Sequence, residues 1–286
     1  MNNGIICRVV NRARYTRAVI SLCFIYLLSW SQLNKAEPLV VLTEAFYPMS
    51  YAYDGQEEVR GYATELVRAI LEEADIEYTL TLVPWARAMH TIDNRGGTLV
   101  YSMARTTARE EKYHWVGEIW PLRHYLYGLR KYKDRLPTSI EDALEKSLEG
   151  SLEGSAHLRI GVHRGDVVYD YLVGKGFKNL IEVKDMEKNL FLLHRDRVDL
   201  VPFADFALGI SAAQKGYKVE DLLPLIDIHD IASVLSIALS KKTDPEIVAK
   251  LKQAYRTIRK TGRYDEIMKP LRKIIDREPK AQSMTP

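Results

Sequence analysis

The residues best suited to chemistry lie between Ser102 and Gly117, where Arg109 falls in the first turn of a helix directly after an apolar strand. Thr107 followed three residues later by Glu110 reads as a capping box, placing Arg109 near the second helical position, where backbone N–H groups still lack partners. A carboxylate docked there gains a bidentate guanidinium contact and the positive end of the helix dipole. The alternative is a surface ion pair of Arg109 with Glu110 or Glu111, which contributes little. Other reactive patterns are missing: the sequence has no Gly-x-x-x-x-Gly-Lys phosphate loop, no His-Glu-x-x-His zinc pair and no Gly-x-Ser-x-Gly nucleophile elbow. His157 and His163 stand apart and read as surface or strand residues rather than metal ligands, so no metal or cofactor is expected.

The N-terminus reads as a secretory signal peptide, because Arg8, Arg12, Arg14 and Arg17 precede the apolar run from Ala18 to Trp30 without an acidic residue. That run is shorter than the ~20 residues a membrane span needs, so cleavage near Ala36 is expected rather than retention as an anchor. Removing residues 1–36 takes away five basic residues and no acids, and the formal charge changes from +3 to −2. The basicity belongs to the leader, which argues against a nucleic-acid partner. Cys7 and Cys23 leave with it, so the mature chain has neither disulfide nor thiol chemistry. About 250 residues remain, enough for a core that needs no cross-links and for either two domains of ordinary size or one large one.

Strand and helix signals alternate from Leu39 onwards. Leu39 to Leu42 is a short apolar strand, Gly61 to Ala74 has helical spacing, Ile76 to Leu82 alternates as a strand, Pro84 opens a helix, and Leu99 to Met103 is a third strand. Strands separated by helices imply an α/β fold with parallel sheets. A hydrophilic excursion runs from Lys131 to Ala156, and the alternation then restarts: strand Leu158 to Val162, helix Asp166 to Val173, strand Leu180 to Val183, helix Asp185 to His194, strand Val198 to Val201. The tail from Asp244 to Ile275 reads as helical and is expected to return to the first unit.

Six segments in this order carry a resemblance: Thr43-Glu-Ala-Phe-Tyr-Pro48, Gly61-Tyr-Ala-Thr-Glu-Leu66, the Ser102 to Arg109 loop, Arg159-Ile-Gly-Val-His-Arg-Gly165, Arg197-Val-Asp199 and Ser240-Lys-Lys-Thr-Asp-Pro245. With them the chain resembles the periplasmic solute-binding proteins of ATP-binding-cassette (ABC) amino-acid importers, solute-binding family 3, and Pro84-Trp-Ala-Arg-Ala88 is similar to a variant found in a subgroup. The resemblance implies a two-lobe, type II periplasmic-binding-protein-like fold, each lobe a mostly parallel sheet flanked by helices, with a two-strand hinge between them. Lobe one would comprise residues 37–128 and 232–286, and lobe two residues 129–231. It further implies a periplasmic monomer that binds a small ligand between its lobes and serves an inner-membrane ABC permease.

The same resemblance assigns candidate site residues. Arg109 matches an arginine that grips the ligand's α-carboxylate, and Ser102 a hydroxyl lining the same site. Phe46 either stacks on the ligand or packs in the core; Trp85 is either a cleft wall or a core tryptophan, with Arg87 beside it at a helix start that should point to the cleft. Asp166 stands where the family usually has a hydroxyl residue, and either caps a helix or faces the ligand, while Glu44 either accepts a ligand ammonium or faces water. The acid that should hold the α-amino group is replaced by Ala204, with Asp205 one position later. Either Asp205 serves through a one-residue shift, or Glu44 takes over, or the ligand lacks the amine. Arg105 is an extra cation that favours a second carboxylate or pairs with Glu118 or another surface acid. Binding without catalysis is the leading expectation. Its rivals are a dehydratase of prephenate-like acids, with Glu44 or Asp205 as general acid, and a sensor acting through a signalling partner.

Overall fold

The computed structural model describes residues 37–275, apart from 54, 150–156, 185 and 232. The expected signal peptide, with Cys7 and Cys23, lies outside the described residues, as does Asp185 at an expected helix start.

The first lobe begins with β1 (Leu39–Thr43), α1 (Tyr62–Glu73), β2 (Tyr78–Leu82), α2 (Trp85–Asn94), β3 (Thr98–Arg105), the single turn α3 (Thr107–Glu110) and β4 (Tyr113–Leu122). The chain then crosses at Arg123 into β5 (His124–Leu129), α4 (Ile140–Glu149), β6 (Ile160–His163), α5 (Val167–Gly174), β7 (Leu180–Val183), α6 (Glu187–His194), β8 (Val201–Ala204), α7 (Leu208–Gln214) and β9 (Leu222–Asp227). It returns in β10 (Ser233–Ser240) and ends in α8 (Pro245–Lys260) and α9 (Arg263–Ile275). Strands of the first sheet run in the order β2-β1-β3-β10-β4, with β1 parallel to both neighbours and β10 antiparallel to β3 and β4. The second lobe holds β8-β5-β9 and the parallel pair β6-β7, joined by a parallel bridge between Ile160 and Leu200. The expected lobe boundary at 128 assigns β5 to the first lobe, and β5 pairs with β8 and β9. The two crossings run side by side, for the Ile228 N–H donates to the His124 carbonyl at 2.9 Å.

Local chemistry fixes the segments that reach the cleft. Gly61 has φ 123°, and a Cβ there would lie 2.3 Å from the Met49 carbonyl oxygen. The missing side chain lets the loop after β1 lie on the start of α1, where the Pro48 and Met49 carbonyls accept from the Tyr62 and Ala63 N–H groups at 3.1 and 3.0 Å. This anchors the loop that carries Phe46. On β3, Met103 faces Ser236 and Val100 faces Ala238, so Tyr101 and Ser102 together oppose Ile237. Ser102, with φ 59°, is therefore part of a β-bulge, the device that re-aims side chains beside functional sites. The C-terminal helices pack on the first lobe: Asp244 caps α8 by accepting from the Glu246 N–H at 2.8 Å, and α8 packs on α1 and β4.

Candidate functional site

Arg109 is positioned differently from the capping-box expectation. The turn α3 is preceded by Thr106, which makes no side-chain cap, so Thr107 is the first helical residue and Arg109 the third. Glu110 does not reach back to the helix start, because Arg105 captures its carboxylate through Nε and Nη2 at 2.8 and 2.5 Å. The Arg105 guanidinium also lies over the Trp115 ring at 5.3 Å. Arg105 is thus held in a partly exposed pair and stays outside the cavity lining.

With Glu110 engaged elsewhere, Arg109 is only 9% exposed and, among the described residues, has no carboxylate within ion-pair distance. Its Nη1 donates to the Ala104 carbonyl at 3.3 Å and its Nη2 to the Gly165 carbonyl of the second lobe at 3.5 Å, while Trp85 lies 5.8 Å from Cζ. Trp85 Nε1 donates to the same Gly165 carbonyl at 3.1 Å. One carbonyl on the turn before α5 therefore receives two side chains from the opposite lobe.

Arg109, Ser102, Phe46, Glu44, Trp85 and Asp166 meet around a cavity of about 30 Å³, together with Ala104, Leu122, His124, Met186, Ala204 and Leu235. Most of these groups are apolar. The Ser102 hydroxyl is fully buried without a protein hydrogen-bond partner among the described residues. A left-handed non-glycine residue with an unsatisfied hydroxyl is a costly arrangement, and such costs concentrate at functional sites. Asp166 accepts from the Val167 N–H at 2.6 Å as the cap of α5 and also lines the cavity. Phe46 likewise lines the cavity while packing on Phe206, with 5.8 Å between ring centres. Across the lobes, Glu44 Oε2 lies 3.6 Å from Nε2 of His163, a buried residue of β6.

Two other expected residues lie elsewhere. Arg87 is exposed on α2 outside the cavity lining. Asp205 accepts from the Phe206 N–H at 2.8 Å and stands near Arg123 and Asp227, also outside the lining. Although the residue as a whole is exposed, loss of water around its carboxyl raises the pKa, against the opposing pull of Arg123. Ala204, rather than Asp205, lines the cavity.

His124 was not among the sequence-derived candidates, and nothing local marks it. Its place in the site comes from the crossing between lobes, which sets it opposite Ala204 on β8. It is 4% exposed, its Nδ1 has no protein partner among the described residues, and burial lowers its pKa despite the nearby Asp166. A larger hollow of about 540 Å³ beside Tyr47, Tyr51 and Tyr62 shares no residue with this cavity, and its Arg60 and Glu58 are already paired at 2.6 Å. The smaller cavity is the better site, because it brings the unpartnered Ser102 hydroxyl and His124 ring nitrogen together with Arg109.

Among solved structures the chain is similar to a histidine kinase sensor domain with similarity to periplasmic binding proteins, at 19% identity and TM-score 0.69, covering 83% of this chain and 97% of that one. It is also similar to the arginine-, lysine-, histidine-binding protein ArtJ of Geobacillus stearothermophilus, at 18% identity and TM-score 0.67, covering 85% and 97%. A third is the amino acid ABC transporter substrate-binding protein AbpA of Streptococcus pneumoniae bound to L-arginine, at 16% identity and TM-score 0.65, covering 83% and 95%. These likenesses establish the two-lobe periplasmic-binding-protein-like fold. No curated protein sequence matches the chain. The family model for bacterial extracellular solute-binding proteins, family 3, spans residues 39–270, essentially the whole of both lobes, and the chain belongs to that family.

Proposed function

We propose that this protein is an exported receptor that captures an amino acid or related small carboxylate between its lobes and delivers it, as a monomer, to an ABC importer in the inner membrane. The observation that carries the reading is Arg109, a buried cation without a carboxylate partner among the described residues, in one cavity with the unsatisfied Ser102 hydroxyl. A ligand carboxylate supplies what both groups lack. Asp166 and Glu44 provide the negative charge for an ammonium, in place of the acid expected at Ala204. Phe46 and Trp85 form apolar walls. A cavity of about 30 Å³ is far below the roughly 300–1,000 Å³ of ordinary ligand pockets, so a solute enters by separation of the lobes and is enclosed as they return. The amino-acid ligands of the similar structures support this class, and the Arg8 to Trp30 leader pattern supports export to the periplasm. Among the described residues no helix is long and apolar enough to cross a membrane.

The test is a thermal-shift screen of the purified protein against amino acids, dicarboxylates and amines. A true ligand at a hundred times its dissociation constant stabilises by about 2.7 kcal/mol. Arg109→Ala should remove that shift and leave a cooperative melt. A variant that binds as tightly as the parent would overturn the assignment of Arg109.

A further inference from the structure

Once Arg109 and Ser102 are assigned to a carboxylate and Asp166 and Glu44 to an ammonium, one polar group of the cavity remains without a role. His124 sits on β5 directly opposite Ala204, and the alanine methyl offers its ring no polar partner. The ring is buried at 4% exposure and its Nδ1 has no protein hydrogen bond among the described residues. Leaving such an atom unsatisfied forfeits the hydrogen bond it would make to water. Neighbouring Leu122, Met186 and Leu235 give no hydrogen bond that would recover it.

Charge balance narrows what fits there. The cavity holds one guanidinium and two carboxylates, and Glu44 also faces His163 across the lobes at 3.6 Å. A ligand with one carboxylate and one ammonium meets the guanidinium and one of the two carboxylates, and the His163 ring stands opposite the other. A further ligand carboxylate would add negative charge beside Asp166, and a further ammonium would give up its water for a ring that brings no counter-charge. An uncharged hydrogen-bonding group, an amide or hydroxyl, satisfies the ring without adding charge.

Resting on the receptor reading above, we propose that His124 is the specificity-determining residue of the site and that it selects α-amino acids whose side chains carry an uncharged amide or hydroxyl. A site built to hydrogen-bond such a group rejects an apolar isostere strongly, because binding the isostere leaves the buried partner unpaired.

The experiment is calorimetric titration of the purified protein with two isosteric pairs, L-asparagine against L-leucine and L-threonine against L-valine. The polar member of at least one pair should bind at least tenfold more tightly than its partner. His124→Leu should collapse that ratio towards one, and His124→Gln, which retains hydrogen bonding, should restore part of it. Should His124→Leu fail to fold, the parent ratio and the His124→Gln ratio decide. Equal affinity for polar and apolar members, or a ratio unmoved by His124→Leu in a folded protein, refutes the role of His124 and leaves the receptor reading standing. Binding of none of the four, in a protein that also ignores every other amino acid, removes the receptor reading and this inference with it.

Discussion

Replacing Ser102 by glycine should stabilise the fold and weaken the ligand. The left-handed backbone at φ 59° costs an L-residue about 1–2 kcal/mol, and glycine adopts it freely. Burying the hydroxyl without a protein partner costs about 1–3 kcal/mol, and glycine has no hydroxyl. Against these gains stands about 0.5–1 kcal/mol of extra chain entropy lost by glycine on folding. The net expectation is about 2 kcal/mol of added stability. For a protein of this size each kcal/mol raises Tm by about 2–4 °C, so the variant should melt about 4–8 °C higher in differential scanning calorimetry without ligand. Ligand affinity should fall about five- to tenfold, since one hydrogen bond of about 1 kcal/mol is lost. Ser102→Ala keeps the strained backbone and should gain less. A glycine variant that melts at or below the parent temperature would show that the Ser102 hydroxyl is satisfied in the folded protein or that the bulge carries no strain, and the argument for a poised site would lose its second support.

Trp85→Phe removes the indole donor to the Gly165 carbonyl while keeping an aromatic wall, so the lobes lose about 1 kcal/mol of contact and the separated form rises about fivefold. Small-angle scattering without ligand should report a larger radius of gyration, and an unchanged radius would count against this contact as a latch. Burial lowers the His124 pKa, so in acid the unfolded chain binds a proton that the folded protein refuses, and stability present at neutral pH is lost as pH falls below the ordinary histidine value of 6.5. Urea unfolding at pH 7.5 and 5.5 should show a smaller drop for His124→Gln than for the parent; equal drops would refute the assignment to this residue. Gly117→Ala places a Cβ 2.4 Å from the Tyr255 ring, whose hydroxyl bridges the Glu118 N–H and carbonyl at 3.1 and 2.9 Å. Overpacking there should cost about 1–3 kcal/mol and lower Tm in a melting curve, whereas a parent-like Tm would mean that the ring moves aside freely.

The repeated strand and helix units were legible because each is local: α1 shows its periodicity within its own residues, and Asp166 and Asp244 cap helices a residue or two away. Membership of the cavity follows a different rule. Trp85 meets Gly165 across 80 residues, and His124 meets Ala204 through strand register, so neither contact leaves a pattern in neighbouring residues. The Thr107 to Glu110 spacing suggested a capping box, but Arg105 outcompeted the helix N–H groups for the Glu110 carboxylate with a charge-assisted pair. Asp205, one step past Ala204, already lies in the turn after β8, and its carboxyl stands near Arg123 and Asp227 outside the cavity lining.

The position of β10 sets an order of assembly. It lies between β3 and β4, so the first sheet lacks an inner strand until residues 233–240 are available, although β1, β2, β3 and β4 all precede the second lobe in the chain. The second lobe draws its strands from one uninterrupted stretch, β5 to β9. When the chain emerges N-terminus first, the second lobe can complete its strand pairing while β3 and β4 still wait for β10. The half that carries Arg109 is then the last to mature, and a truncation before residue 233 should yield a folded second lobe attached to a first lobe that never closes its sheet.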